Sequence, residues 1–333
     1  MSTSSSSSFF PTAALDHAFA GIGAGTVSVL CMQPLDLLKV KFQVANDPKQ
    51  RPSLNPLKEI WRGLTGLKSA YGWQGLYRGL GANVAGNAAS WGLYFWFYTG
   101  LKRYMAEQES GSPTAPLSAQ KFLLASAEAS AITALLTNPI WVVKVRLFTT
   151  PPNDPNAYRG LWDGLWSVAK REGIRGLYKG TTLALFGVSN GALQFMAYEE
   201  MKKWGFARQK RKAALDGVPY DEANAKLSNT AYTMMSGASK LVALTATYPY
   251  QVVRSRIQNN AQAHLYPDIR TCVARTWRDE GVRGFYRGLG TNLVRVLPGT
   301  CVTFVVYENL AWLLRTQAAA RDQKGANAIS NGS

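Results

Sequence analysis

Three ionisable side chains lie inside long apolar stretches of this sequence, apart from the charges that border those stretches. They are Glu128, Lys240 and Arg295. A charge in such a stretch is costly, so each is a candidate functional residue. The guanidinium of Arg295 suits a phosphate or a carboxylate, because it can donate two parallel hydrogen bonds to either group. Lys240 could bind the same anion or neutralise Glu128. These residues predict that the protein binds an anion in an apolar setting.

A second set of charges follows three prolines at similar spacing. Pro34, Pro139 and Pro249 are 105 and 110 residues apart, and each lies near the end of an apolar run. The basic residues that follow them are Lys39 and Lys41, Lys144 and Arg146, and Arg254 and Arg256. A proline inside a helix removes a hydrogen bond and bends the helix, so we predict a kink at each proline.

Another motif has the same period. Its three copies end in Tyr77-Arg78-Gly79, Tyr178-Lys179-Gly180 and Tyr286-Arg287-Gly288. Two motifs that occur in a fixed order three times indicate an internal repeat of about 105 residues. The chain is therefore better described as three copies of one unit than as two or three unrelated domains.

Each repeat contains two segments with few or no charges. The six segments are residues 15–41, 80–104, 119–146, 181–203, 229–256 and 289–314. A helix that rises ~1.5 Å per residue can cross a hydrocarbon core of ~30 Å over such lengths. The connections within the repeats have amphipathic patches that suit the membrane interface. We predict an all-α membrane protein with six transmembrane helices in three pseudo-threefold repeats, with short interfacial helices between the helices of each repeat.

The boundaries between the repeats follow from composition, because Ser-rich, Gly/Pro-rich and highly charged stretches separate the apolar segments. The predicted organisation is a disordered tail 1–14, repeat 15–106, linker 107–117, repeat 118–206, linker 207–226, repeat 227–315 and a disordered tail 316–333.

The overall charge and the rare residue types exclude several functions. The formal net charge is +17, which suits anionic lipid headgroups. Nucleic-acid binding is disfavoured, because the cations are spread over three repeats and flank apolar segments. The three cysteines and two histidines are dispersed, so we expect neither a disulfide framework nor a metal site. No phosphate loop or catalytic triad signature is present, so we do not expect an enzyme or a cofactor.

Three repeats of two apolar segments, in which the first segment ends in Pro-x-acid-x-x-basic-x-basic, resemble the mitochondrial carrier family. The resemblance covers about residues 15–315. It implies six tilted helices around a water-filled central cavity, a substrate site at mid-depth, and two gates that close alternately. It also implies a monomer in the mitochondrial inner membrane, with cardiolipin at the matrix side. No Lys or Arg precedes Lys39, so we expect no cleavable presequence.

The family's matrix gate is a ring of ion pairs formed by the proline motifs. The residues that match it are Asp36, Lys39, Lys144, Gln251 and Arg254. Trp141 and Gln251 replace the second and third acids, so we expect one full ion pair, Asp36–Lys144, and a hydrogen bond between Gln251 and Lys39. The resemblance therefore implies a weakened matrix gate.

The family's cytosolic gate uses Tyr-acid-x-x-basic motifs on the even-numbered transmembrane helices. The matching residues are Lys102, Glu199, Lys202 and Glu308, while Thr99 and Ala311 break the pattern. We expect one complete pair, Glu308–Lys102. Lys202 could equally be an interfacial charge that anchors a helix end.

The resemblance also places candidate substrate residues at the family's contact levels. They are Arg295, Lys240, Asn87, Phe186, Gly187, Asn190, Gln194 and Trp141. Phe186 could serve only packing, and Trp141 could stack on the substrate or plug the cavity from below.

The sequence Pro139-Ile-Trp-Val-Val-Lys144 resembles the branch of the family that carries folate, FAD, NAD and pyrimidine nucleotides. Within that branch, Tyr248-Pro-Tyr-Gln-Val-Val-Arg254 resembles the folate and FAD carriers. A large aromatic anion also fits a cavity with one or two cations, several amides and aromatic rings. Carriage of NAD or pyrimidine nucleotides, in mitochondria or another organelle, is the alternative. A scaffold that does not transport is a third hypothesis, which Arg295 and the partly retained gates disfavour.

Overall fold

The computed structural model describes most of the chain, in six ranges: residues 9–10, 13–45, 55–111, 118–155, 157–217 and 226–330. The regular elements in these ranges are helices. Six of them are long: α1 (Ala13–Val44), α3 (Leu80–Ser110), α4 (Ala119–Thr149), α7 (Ser189–Leu215), α8 (Asn229–Gln258) and α10 (Leu289–Ser330). Four are shorter: α2 (Pro56–Leu76), α5 (Leu161–Leu177), α6 (Thr181–Phe186) and α9 (Ile269–Glu280). Two short 3₁₀ helices, Asn260–Gln262 and Val282–Tyr286, flank α9.

The long helices form a closed ring. Its most extensive contacts join α1 with α10, α3 with α4, and α7 with α8. The ring is completed where α1 meets α3, α4 meets α6, and α8 meets α10. The helices α1, α4 and α8 also contact one another across the ring. An apolar cluster of Leu37, Val40, Val145 and Phe148 shows that α1 meets α4 just beyond the prolines.

Length and composition agree with a membrane location. Three stretches in the described ranges are long and apolar enough to cross a membrane, namely Ala18–Val44, Gln120–Thr149 and Val282–Arg321. The helices α3, α7 and α8 carry more polar side chains, but their 31, 27 and 30 residues are also sufficient at ~1.5 Å per residue. Five of the six predicted spans thus lie within single long helices of the structure.

The motif prolines lie inside helices, as expected. Pro34, Pro139 and Pro249 fall within α1, α4 and α8. The motif glycines lie at helix starts instead: Gly79 and Gly180 are the N-caps of α3 and α6, with φ of 70° and 74°. A side chain is disfavoured in this left-handed region, so glycine allows the sharp turn from the interfacial helix into the next transmembrane helix.

The fourth transmembrane segment is broken. The sequence predicted one span over 181–203, whereas α6 ends at Phe186 and α7 begins at Ser189. Gly187 and Val188 donate backbone hydrogen bonds to the carbonyls of Ala184 and Leu185, three residues back, which is a 3₁₀-type turn.

A fully buried arginine ties the shorter helix α5 to the ring through an ion pair. The Arg146 guanidinium is fully buried and binds Glu172 of α5 through both oxygens, and Lys179 Nζ lies 2.9 Å from the same carboxylate. Burial alone would raise the pKa of Glu172, but hydrogen bonds and the charges of Arg146 and Lys179 lower it to about 2. In the first repeat Lys41 instead faces the Tyr71 ring, 5.9 Å from its centroid.

The predicted tails and linkers differ from the structure where it describes them. Helix α10 continues to Ser330, although 316–333 was expected to be disordered; its Ala-, Gln- and Arg-rich composition favours helix. Helices α3 and α7 likewise extend to Ser110 and Leu215, into both expected linkers. The remaining parts of these predictions fall on residues 1–8, 11–12, 112–117, 218–225 and 331–333, which lie outside the described residues.

Candidate functional site

An ion pair joins the first and last transmembrane helices at the candidate site. Arg295 Nη1 of α10 is 2.8 Å from Asp36 Oδ1 of α1, and the two side chains are 32% and 12% exposed. The sequence predicted that Asp36 would pair with Lys144 instead, and this prediction is wrong for the state seen here. Helix α1 packs along α10, which brings Arg295 next to Asp36, whereas α1 meets α4 only across the ring. Lys144 still interacts with Asp36 electrostatically, without an ion-pair contact.

Amide side chains complete the surroundings of Asp36. Asn83, in the first turn of α3, donates to Asp36 Oδ2 at 3.1 Å and to Gln33 Oε1 at 2.7 Å. Asn87 donates to the backbone oxygen of Asn83 at 2.8 Å and to its side-chain oxygen at 3.0 Å. Two of the predicted substrate residues, Asn87 and Arg295, are therefore linked through the gate carboxylate.

Gln33 and Asn83 were not among the predicted site residues. Gln33 directly precedes a motif proline, and Asn83 lies four residues before Asn87 on the same helix. That i, i+4 spacing is the signal that could have identified Asn83.

The three basic residues predicted for the matrix gate, Lys39, Lys144 and Arg254, have neutral partners. Lys39 Nζ is 3.4 Å from Gln251 Oε1, the contact that the sequence suggested. Lys144 Nζ lies 4.6 Å from the centroid of the Trp141 ring and 5.3 Å from that of Phe148. Arg254 donates to Asn138 Oδ1 at 3.3 Å. The matrix gate residues therefore converge, with a single carboxylate among them.

The predicted cytosolic gate residues are not brought together. Lys202 pairs with Glu199 of its own helix at 2.9 Å. Lys102 and Glu308 are exposed, and the described side chains show no ion pair between them, so the expected pair is absent. The convergence of α1, α4 and α8 is not matched by comparable contacts among α3, α7 and α10 in the described ranges.

The remaining candidate substrate residues have varied surroundings. Asn190 donates to Thr247 Oγ1 at 2.7 Å, and Phe186 is 61% exposed. Lys240 is exposed, and the structure shows no ion pair between it and Glu128, so pairing of these two residues is not supported in this state.

The other two candidates lie close to Asn190. Gly187 lies at the helix break, where an added Cβ would be 3.0 Å from the Tyr250 hydroxyl. Gln194 is half-buried on α7, one turn beyond Asn190.

Comparisons with known proteins agree with this architecture. The chain matches the family described as mitochondrial carrier protein three times, over residues 11–109, 115–208 and 225–318. The chain belongs to the mitochondrial carrier family. Family membership confirms the fold class of six transmembrane helices in three repeats around a central cavity. Members of this family are membrane transporters, not enzymes.

Several carriers of stated substrate are similar over nearly their whole length. The chloroplastic folate transporter 1 of Arabidopsis thaliana is 39% identical over 92% of this chain and 98% of its own. The mitochondrial FAD carrier protein of Saccharomyces cerevisiae is 36% identical, over 87% and 94%. The chloroplastic nicotinamide adenine dinucleotide transporter 1 of Arabidopsis thaliana is 36% identical, over 88% and 90%.

For a carrier, the observed contacts define one state of the transport cycle. The matrix gate residues on α1, α4 and α8 are in contact or in electrostatic range of one another. The predicted pair of the cytosolic gate is open. The cavity of the carrier is therefore closed at the proline-motif end in this structure.

Proposed function

We propose that this carrier moves FAD or folate across the mitochondrial inner membrane by alternating access, without a resident cofactor. The observation that supports it most is Arg295, a partly exposed guanidinium on a transmembrane helix at the closed end of the cavity. A guanidinium binds phosphate and carboxylate groups, and FAD and folate supply one or the other. Similarity to carriers of FAD and of folate supports the same substrates.

Uptake by proteoliposomes tests this proposal. Purified carrier is reconstituted, and uptake of labelled FAD, folate and NAD is compared with protein-free liposomes. We expect uptake of FAD or folate. Arg295→Ala should reduce it at least tenfold, a loss of ~1.4 kcal/mol in binding. Arg275→Ala is the matched control, because Arg275 is an exposed arginine of α9 whose ion pair lies outside the cavity.

NAD transport is the second candidate, since a carrier of NAD is also 36% identical to this chain. Uptake of NAD without FAD or folate would establish this alternative. If none of the three compounds is taken up, the proposed function is wrong, and the scaffold hypothesis is favoured.

We also infer a monomer that binds cardiolipin at the matrix side of the inner membrane. Support comes from the family match and from the net charge of +17, which favours anionic lipid. Native mass spectrometry from cardiolipin-containing nanodiscs should show one chain with bound cardiolipin. Fractionation should place the chain in mitochondria, whereas recovery in plastids would contradict the localisation.

A further inference from the structure

The closed end of the cavity holds more cations than acids. Two residues after the first proline stands Asp36, but the equivalent positions after the second and third prolines hold Trp141 and Gln251. The basic positions are kept in all three repeats, by Lys39, Lys144 and Arg254.

Arg295 makes this imbalance larger. Arg295 Nη1 lies 2.8 Å from Asp36 Oδ1, so the acidic residue of the proline motifs already pairs with a cation outside those motifs. Asp36 also interacts electrostatically with Lys39 and Lys144, and Lys144 with Arg254. Asp36 is thus shared by Lys39, Lys144 and Arg295, so three basic side chains interact with one carboxylate, and Arg254 lies in electrostatic range of Lys144.

The neutral partners of these cations do not compensate their charges. Lys39 contacts an amide, and Lys144 faces two aromatic rings. The Nε atoms of Arg254 and Arg295 are buried without a hydrogen-bond partner. The side chains of Lys39, Lys144 and Arg254 are half-buried rather than enclosed. Grouped cations of this kind repel one another unless a negative group lies among them.

We propose that Lys39 and Lys144, together with Arg295, form a binding site for a group with at least two negative charges on the transported molecule. This inference rests on the proposed function and specifies the part of the substrate that these residues recognise, a pyrophosphate or a dicarboxylate group. The two lysines then serve as substrate ligands in addition to their place in the gate. Because Trp141 and Gln251 stand where the motif has an acid, the lysines form no ion pairs with those positions and can bind an anionic group of the substrate.

The test uses inorganic pyrophosphate as the probe. The melting temperature of the purified full-length carrier in detergent is followed as pyrophosphate is added, with sodium chloride at equal ionic strength as the reference. We expect stabilisation that saturates, and a loss of apparent affinity of about tenfold or more in Lys39→Gln and in Lys144→Gln. Lys170→Gln on α5 is the matched control, because Lys170 is exposed on a shorter helix and is not one of the gate residues. It should keep the wild-type affinity.

Two results would overturn this inference. Pyrophosphate could stabilise the wild type no more than chloride does, or both lysine variants could keep the wild-type affinity. Both results can be told apart from results that would disprove the proposed transport of FAD or folate. Uptake of FAD or folate that depends on Arg295 but survives both lysine substitutions rejects the lysine site only. Lysine-dependent pyrophosphate binding without uptake of FAD, folate or NAD supports the site and rejects those substrates.

Discussion

Replacing Glu280 with glutamine should destabilise the carrier strongly, because one buried carboxylate neutralises two arginines. Glu280 Oε1 lies 2.6 Å from Arg256 Nη1, and Glu280 Oε2 lies 2.7 Å from Arg287 Nε. The side chains of Arg256, Arg287 and Glu280 are 0%, 9% and 4% exposed. Glutamine keeps the shape and one acceptor oxygen, but it leaves both guanidinium charges without an anion at this position.

The magnitude follows from the burial. Removing one partner of a buried pair costs about 3–5 kcal/mol, since the remaining charge cannot be solvated. Arg256 retains hydrogen bonds to Thr276 Oγ1 at 2.8 Å and to the Gln43 carbonyl at 3.0 Å, which places the cost toward the lower value. At ~2 °C per kcal/mol for a large chain, the melting temperature should fall by about 6–10 °C.

The assay is thermal unfolding of detergent-purified protein, with Asp279→Asn as the matched control. Asp279 is the preceding residue of α9, and it pairs with Arg275 at 3.4 Å while both side chains are more than 40% exposed. Such a surface pair contributes about 0–1 kcal/mol, so the control should melt within ~2 °C of the wild type. If Glu280→Gln melts no lower than Asp279→Asn, the reasoning from buried charge is refuted.

Three further predictions concern other contacts. Gly79→Ala should lower the unfolding free energy by at least ~1 kcal/mol, because its φ is 70° and the new Cβ would lie 2.8 Å from an aromatic ring. Gly100→Ala, within α3 and with open space around the new Cβ, should raise the unfolding free energy by up to ~1 kcal/mol. Equal effects of Gly79→Ala and Gly100→Ala on thermal unfolding would contradict both predictions. The stabilisation from Glu172 should be complete above its ordinary pKa of 4.5 and should disappear as the pH falls toward about 2. The difference in melting temperature between the wild type and Glu172→Gln should therefore shrink over that pH range. A difference that persists at the lower pH would contradict this prediction. Asp36→Asn should lower the unfolding free energy by about 1.5–3 kcal/mol, because the ion pair with Arg295 is lost. Pyrophosphate should then stabilise the variant more than the wild type, since no carboxylate competes with it for Arg295. An unchanged or smaller stabilisation by pyrophosphate would argue against that competition.

The sequence by itself determined the repeat, five of the six predicted spans as single helices, and the position of the motif prolines inside helices. These features depend on short-range rules. Apolar runs of sufficient length form membrane helices, and glycine allows the left-handed turn at Gly79. The break at Gly187 was not evident, because it lies in an uncharged run that resembles continuous helix.

Only the tertiary structure decided which charges pair. The family pattern favoured Asp36–Lys144, but a motif fixes depth along a helix and not the rotation or the neighbours of that helix. The ring closes where α1 packs along α10, with Ser28 donating to the Gly299 carbonyl at 3.1 Å, so Arg295 reaches Asp36 across 259 positions of sequence. The open cytosolic gate is likewise a property of how six helices converge, because the charges of Lys102 and Glu308 can pair only when α3 and α10 approach each other.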